Sequence, residues 1–314
     1  MSVTPVVLDC DPGHDDAFAI LLAAAHPGLD LLAITTVSGN GPVDKVTDNA
    51  RRVCTLAGID VVIAEGADRP LAGAAHAAAD IHGESALDGA DLPEPTAPLS
   101  PLGAVDLLVA TITASEQPVT IIATAPLTNI AMLIRDHPEV LANVNGISLM
   151  GGSATRGNTT PAAEFNIWAD PEAADIVFRC GLPIRMVGLD VTHTVLATPD
   201  VLDALRATGT DLGRIGAELL LFFAEAYRTV FGMTSPPLHD PVAVLAVVHP
   251  DWMTWQRCRV DIELDGRFTR GMTVVDLDGV VDDPPNVEVA RAVDVDRFWA
   301  LMVDSVRTLG TARR

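Results

Sequence analysis

Four carboxylates, Asp9, Asp11, Asp15 and Asp16, fall within eight positions of the stretch LDCDPGHDDA at residues 8–17. Like charges this close oppose each other's ionisation unless something neutralises them. The apolar run 6–8 before them suits a buried strand, and the run 18–25 after them suits a buried helix. The acidic stretch therefore occupies a strand-to-helix turn, where open α/β sheets bind ligands at the carboxyl ends of their strands. Two readings compete. Asp15 and Asp16 could cap the helix, where negative charge is favoured, with the rest a solvated loop. That leaves Asp9 and Asp11 unexplained, whereas a bound divalent cation accounts for all four.

The rest of the chain supplies a scaffold for such a turn. Strand-like runs at 6–8, 31–37, 61–64, 119–123, 146–150 and 184–189 alternate with helix-like runs at 15–25, 43–57, 101–114, 127–135 and 171–180. This alternation predicts an α/β fold, a Rossmann-like, mostly parallel sheet covered by helices on both faces. From 199 to 231 the pattern is helical, and a further helix is expected at 240–247. Strand-like runs at 259–264 and 273–277 read as a small C-terminal β addition before a closing helix at 295–309. With no internal repeat or linker, residues 1–314 read as one domain. The Gly-, Ala- and Pro-rich segment 66–101 is long enough to be a functional lid.

Several strand ends carry polar residues in the same relative place: Asn40 in Ser38-Gly39-Asn40, Thr124 after 119–123, and Met150 before Gly151-Gly152-Ser153. In a parallel sheet these ends face one side, so they should converge on the acidic turn. Taken singly, each has a plainer explanation: a turn for Asn40, pocket wall or core for Met150. The same holds for Asn158, Glu164 and Asn166 in NTTPAAEFNIW, and for His239 and Asp240 in LHDP. There, Asp before Pro also fits a helix N-cap.

Composition narrows the function. The formal net charge of −22, from 42 acidic and 20 basic residues, disfavours nucleic acid as a partner. Lys45 is the only lysine, so there is no GK[ST] phosphate loop and only one possible Schiff-base residue. Cys10, Cys54, Cys180 and Cys258 form no CxxC pair and sit in apolar contexts, as expected of reduced thiols in a cytoplasmic protein. No signal peptide is visible, and the apolar runs are too short to span a membrane.

The motifs DCDPGHDDA, SGN, ATAPLTNIAM, LMGGS, NTTPAAEFNIWADPEAA, VGLDVTH and LHDPVAV occur in this order between residue 6 and about residue 246. Together they resemble the inosine/uridine-type nucleoside hydrolases. The resemblance implies hydrolysis of the N-glycosidic bond of ribonucleosides, in purine and pyrimidine salvage, by a homodimer or homotetramer. It implies a bound Ca²⁺ held by Asp11, Asp16, the Thr124 carbonyl and Asp240. Hard oxygen donors fit that ion, and no His/Cys set suits zinc. Carried over residue by residue, Asp11 would hold and deprotonate the attacking water. Asp15 and Asn40 would bond the ribose, and Met150 would pack beneath it. Asn158, Glu164 and Asn166 would hold the 5′-hydroxyl, with Glu164 repelling a 5′-phosphate. His239 would protonate the leaving base. His82 and Tyr227 would contact the base, Tyr227 serving either as lid or as core. His14 resembles members that prefer pyrimidine nucleosides. Ala86 stands where the family usually carries glycine.

Two alternatives belong to other classes. One is a nucleoside- or ribose-binding protein that keeps the cation but not turnover. The presence of Asp11 at the water-activating position speaks against it. The other is a haloacid-dehalogenase-type phosphatase, suggested by the DxD spacing of Asp9 and Asp11. It lacks the residue wanted two positions after the second Asp, where Gly13 stands, and lacks a basic phosphate-binding residue apart from Lys45.

Overall fold

The computed structural model describes residues 3–76 and 78–312. The first half runs β1 (Thr4–Cys10), α1 (His14–Ala25), β2 (Leu29–Thr36), α2 (Val43–Ala57), β3 (Val62–Glu65), α3 (Ala79–His82), α4 (Ala104–Ala114), β4 (Val119–Ala123) and α5 (Thr128–Asp136). It continues through β5 (Val144–Met150), α6 (Phe165–Ala169), α7 (Pro171–Phe178), β6 (Ile184–Val187) and α8 (Leu189–Thr192). The last part comprises α9 (Pro199–Arg206), α10 (Asp211–Phe231), α11 (Pro241–Val248), β7 (Met253–Ile262), β8 (Thr273–Asp276), β9 (Val287–Val293) and α12 (Val295–Ala312).

The strands form one nine-stranded sheet in the order β3-β2-β1-β4-β5-β6-β9-β7-β8. All neighbours from β3 to β9 are parallel; β7 and β8 are antiparallel. Residues of β1 alternate between two apolar layers. Val6, Leu8 and Cys10 pack with α1 and α10 to α12, and Val7 packs on the other face with α4, α5 and α7. Burial of both faces is what makes these strands continuously apolar.

The sequence reading of the C-terminus needs correction. The segments 259–264 and 273–277 do pair, with Ile262 opposite Thr273. However, β9, which the reading omitted, lies between β6 and β7 and bonds to both. The late strands therefore extend the central sheet. The strand expected at 184–189 ends at Val187, because Gly188 starts α8.

Strand order reverses between β1 and β4, which makes their carboxyl ends the topological switch point. Asp9 pairs with Ala123, so Asp11 and Thr124 leave the sheet side by side. Among the described residues no helix is long and apolar enough to cross a membrane.

Candidate active site

The acidic turn is built around Asp16. Its carboxylate accepts from the backbone N–H of Asp11 (3.2 Å) and Gly13 (3.1 Å), from Thr124 Oγ1 (2.9 Å) and from Asn40 Nδ2 (3.1 Å). The Gly13 bond is a helix-start cap, so the capping reading holds for Asp16 in part. Asp11 is held differently. Its Oδ2 accepts from Asn40 N–H at 2.6 Å, while Oδ1 is buried and finds no partner among the described residues. Two glycines make this closeness possible. A Cβ on Gly39 would lie 2.0 Å from Asp11 Oδ2, and one on Gly13 would lie 2.8 Å from Asn40 Nδ2.

Asp240 arrives from the loop before α11, packed beside α1, and meets both Asp15 and Asp16. Oxygens of Asp15, Asp16 and Asp240 lie within 4.8 Å of one another. Asp240 makes no side-chain cap to its own helix, so the N-cap explanation does not account for it. Burial, then the neighbouring carboxylate of Asp16, pushes Asp15 up to about 7. Burial, then Asp15, pushes Asp240 well above the carboxylate range. Several buried acids with too few donors are the signature of a missing positive charge. Hard oxygen donors and the orphaned Asp11 Oδ1 fit a divalent cation of the Ca²⁺ or Mg²⁺ kind.

The set that converges is not quite the one expected. Asp15, assigned to ribose, stands in the triple, whereas Asp11 stands beside it. The Thr124 carbonyl already accepts from Asn166 Nδ2 at 2.9 Å. Asp9 is turned away altogether. It accepts from Thr35 Oγ1 and from Asn129 Nδ2, and its Oδ2 has no partner among the described residues. One cation does not explain all four acids, and the DxD reading loses its first member.

A cavity of about 340 Å³ opens over this cluster. It is lined by Asp15, Asn40, Thr124, Met150, Asp240, Asn158, Glu164, Asn166, His82, Tyr227 and His239, so every expected site residue except Asp11 and Asp16 borders it. One end is polar. Glu164 is buried, not solvated; its carboxylate accepts from the N–H groups of Asn166, Ile167 and Gly152 at 2.9, 3.2 and 2.8 Å. Burial raises it to about 7. Asn166 Nδ2 also donates to the Met150 carbonyl (3.1 Å), and Asn158 Oδ1 accepts from Phe165 N–H (3.0 Å).

The other end is aromatic. Phe223, Tyr227 and Phe231 from α10 line it with His82 from α3, whereas Trp168, against His76, belongs to α6 with Glu164 and Asn166. Tyr227 is both wall and partner: its hydroxyl lies 2.9 Å from His239 Nε2. His239 Nδ1 lies 2.7 Å from Thr192 Oγ1. Burial, then His193 at a ring-centroid distance of 5.6 Å, lowers His239 to about 3, so its ring is neutral. Asp190 accepts from Ser153, Ala154 and Thr155 and fixes that loop. Thr192 and Phe223 had no signal in the sequence: a hydroxyl beside His193 and one Phe in an apolar helix look like background. The segment 66–101 contributes His76, Ile81 and His82 to the wall, and Ala86 is the only described non-glycine residue at positive φ, 66°.

Comparison with known proteins gives the family and the fold. Residues 6–300 match the family described as inosine-uridine preferring nucleoside hydrolase. The chain is 45% identical over 304 residues to the pyrimidine-specific ribonucleoside hydrolase RihA of Shewanella sp. (strain ANA-3), covering 96% of each chain. It is 44% identical over 305 residues to RihA of Escherichia coli O1:K1 / APEC, covering 96% of this chain and 98% of that one. Its fold matches the purine-preferring ribonucleoside hydrolase from Gardnerella vaginalis with a TM-score of 0.92 at 31% identity, covering 98% of this chain and 100% of that one. The plant nucleoside hydrolase PpNRh1 gives a TM-score of 0.87 at 34% identity, covering 96% and 98%. This chain belongs to the inosine-uridine preferring nucleoside hydrolase family and is a nucleoside hydrolase.

Proposed function

We propose that the chain, working as one domain, hydrolyses the N-glycosidic bond of pyrimidine ribonucleosides foremost, with Ca²⁺ as its resident ion. The observation that carries this reading is the buried triple Asp15, Asp16 and Asp240, with the unpartnered Asp11 Oδ1 beside it, under a cavity with one polar and one aromatic end. The ion, held by Asp16, Asp240 and their neighbours Asp11 and Asp15, would bind sugar hydroxyls and make a water more acidic. These four carboxylates, when ionised, against one dication leave the site about two units negative. Such a field favours a ribosyl group that becomes cationic as its base departs.

The chain's own groups then divide the work. Asp11, fixed through Oδ2 by Asn40, offers Oδ1 to take the proton of the attacking water. Asp15 and Asn40 orient the sugar. Glu164 Oε1 receives one protein donor and keeps a lone pair for the 5′-hydroxyl. A phosphate there would face a buried carboxylate, so nucleotides are poor substrates. A neutral His239 cannot act as an imidazolium. Both His239 and Tyr227 border the cavity, with the hydroxyl 2.9 Å from Nε2, so the pair relays to the departing base a proton drawn from solvent, His239 gaining one on one ring nitrogen as it gives up another and returning neutral. The pyrimidine preference is supported by the two RihA relatives at 44–45% identity, against a purine-preferring neighbour at 31%. Four free thiols fit a cytoplasmic location.

The test is release of reducing sugar from uridine, cytidine, inosine and adenosine with Ca²⁺ present. Ribose should appear, fastest from the pyrimidine nucleosides. No ribose from any of the four would favour a binding protein, and faster inosine cleavage would overturn the base preference.

A further inference from the structure

The polar end of the cavity is bounded by two rings from distant parts of the chain. Trp168 comes from α6, and His76 from the connection between β3 and α3. Their ring centroids lie 4.2 Å apart, with the planes tilted by 43°, and both residues border the cavity. Phe165, 6.5 Å from Trp168, continues this apolar surface beside Glu164.

Trp168 has no room to retreat. A Cβ on Gly271 would lie 2.8 Å from Trp168 Cα, so α6 rests directly on the connection between β7 and β8, where Gly271 holds a φ of 81°. Arg270 of that connection pairs with Glu172 of α7 at 2.6 Å. Asp170, which follows α6, accepts from Ala173 N–H at 3.1 Å and from Thr128 Oγ1 at 2.6 Å. His76 is held from two sides. The Leu71 N–H donates to Asp170 Oδ2 at 2.8 Å, and the Ala78 N–H donates to the carbonyl of Asn40 at 3.2 Å. Among the described residues the His76 side chain makes no hydrogen bond, so the Trp168 ring is its seat. A cavity of about 340 Å³ is near the lower end of the range of small-molecule sites, about 300–1,000 Å³, and a nucleoside leaves little of it free.

We propose that His76 and Trp168 are specificity-determining residues that end the cavity one group beyond C5′. A hydroxyl fits between Glu164 and the two rings, whereas a neutral substituent as large as a methylthio group collides with them. This exclusion is steric, and is separate from the repulsion of a phosphate by Glu164. The assignment rests on the nucleoside-hydrolase reading above, in which the 5′-hydroxyl meets Glu164.

The test compares kcat/KM for 5′-deoxyuridine and 5′-deoxy-5′-methylthiouridine in the full chain with Ca²⁺. Neither brings a hydroxyl to Glu164, so they differ in bulk at C5′. The smaller compound should be preferred by roughly ten- to hundredfold. In His76→Ala, and separately in Trp168→Leu, that preference should fall by roughly tenfold. His76 is exposed, so its replacement leaves the core intact. The ratio is taken within one protein, so a loss of activity common to both compounds cancels. Equal use of the two compounds by the unaltered protein, or a preference that persists in either variant, would overturn the proposal. Uridine run alongside separates the two readings, because uridine cleavage with an unmoved ratio counts against the steric boundary alone. If uridine is not cleaved, the function reading fails and the Kd ratio of the same two compounds by calorimetry decides the boundary instead. Equal affinities, or no binding of either, would then overturn it.

Discussion

Replacing Asp9 with asparagine separates the acids that serve the site from the one that does not. Asp9 is fully buried; Thr35 Oγ1 and Asn129 Nδ2 (2.8 Å) donate to its Oδ1, and no described residue bonds Oδ2. Burial, opposed by those two bonds, raises the carboxyl from 3.8 to about 7. A folded-state pKa above the unfolded one means no cost below pH 3.8, where both states are protonated. The cost grows between pH 3.8 and 7 and is constant above. At about 1.4 kcal/mol per pH unit, the ionised carboxylate costs up to ~4 kcal/mol at pH 8. Asparagine keeps both donors on Oδ1 but places an NH₂ where no acceptor stands, at about 1–3 kcal/mol. Asp9→Asn should therefore be less stable than the parent at pH 4 and more stable at pH 8, by ~1–3 kcal/mol each way. Urea unfolding with chelator present, at pH 4, 6 and 8, measures this, and kcat with Ca²⁺ should stay near the parent value. A stability difference that ignores pH would refute the burial reasoning, and a kcat loss of orders of magnitude would return Asp9 to the active site.

Asp11→Ala should lower kcat by about 10²–10⁴-fold while ribose still binds; unchanged turnover would remove the general base. Tyr227→Phe strips the hydroxyl from His239 Nε2 and should slow uridine far more than an activated nitrophenyl riboside, with equal losses contradicting a proton-delivery role. Because Asp15 is raised to about 7 and burial lifts Asp240 well above the ordinary carboxylate range, Ca²⁺ must displace protons. Calorimetry in buffers of different ionisation enthalpy should show proton release, with apparent affinity rising about tenfold per pH unit for each proton displaced between pH 6 and 8. Affinity flat across that range would place the ion elsewhere.

Much of this was legible because it depends on local pattern. An apolar strand, a Pro-Gly turn and the start of a buried helix put Asp11, Asp15 and Asp16 at a sheet's carboxyl edge, and the parallel sheet gathered Asn40, Thr124 and Met150 there. Asp9 was misjudged because it is the penultimate residue of β1 and points to the opposite face from Cys10, onto Thr35 and Asn129 from neighbouring elements. Which acid faces which layer is decided by a strand end that spacing does not mark. Val287-Glu288-Val289 did carry the alternation of a strand, but Glu288 and Arg291 hid it among charged loops. Thr192 and the His14–His82 contact join residues 47 and 68 positions apart, which no local window connects.

Stripping the protein with chelator and titrating Ca²⁺ back while following ribose release from uridine tests the central claim most directly. Turnover should vanish on stripping and return in full at one ion per chain, whereas full turnover in the stripped protein would contradict the account.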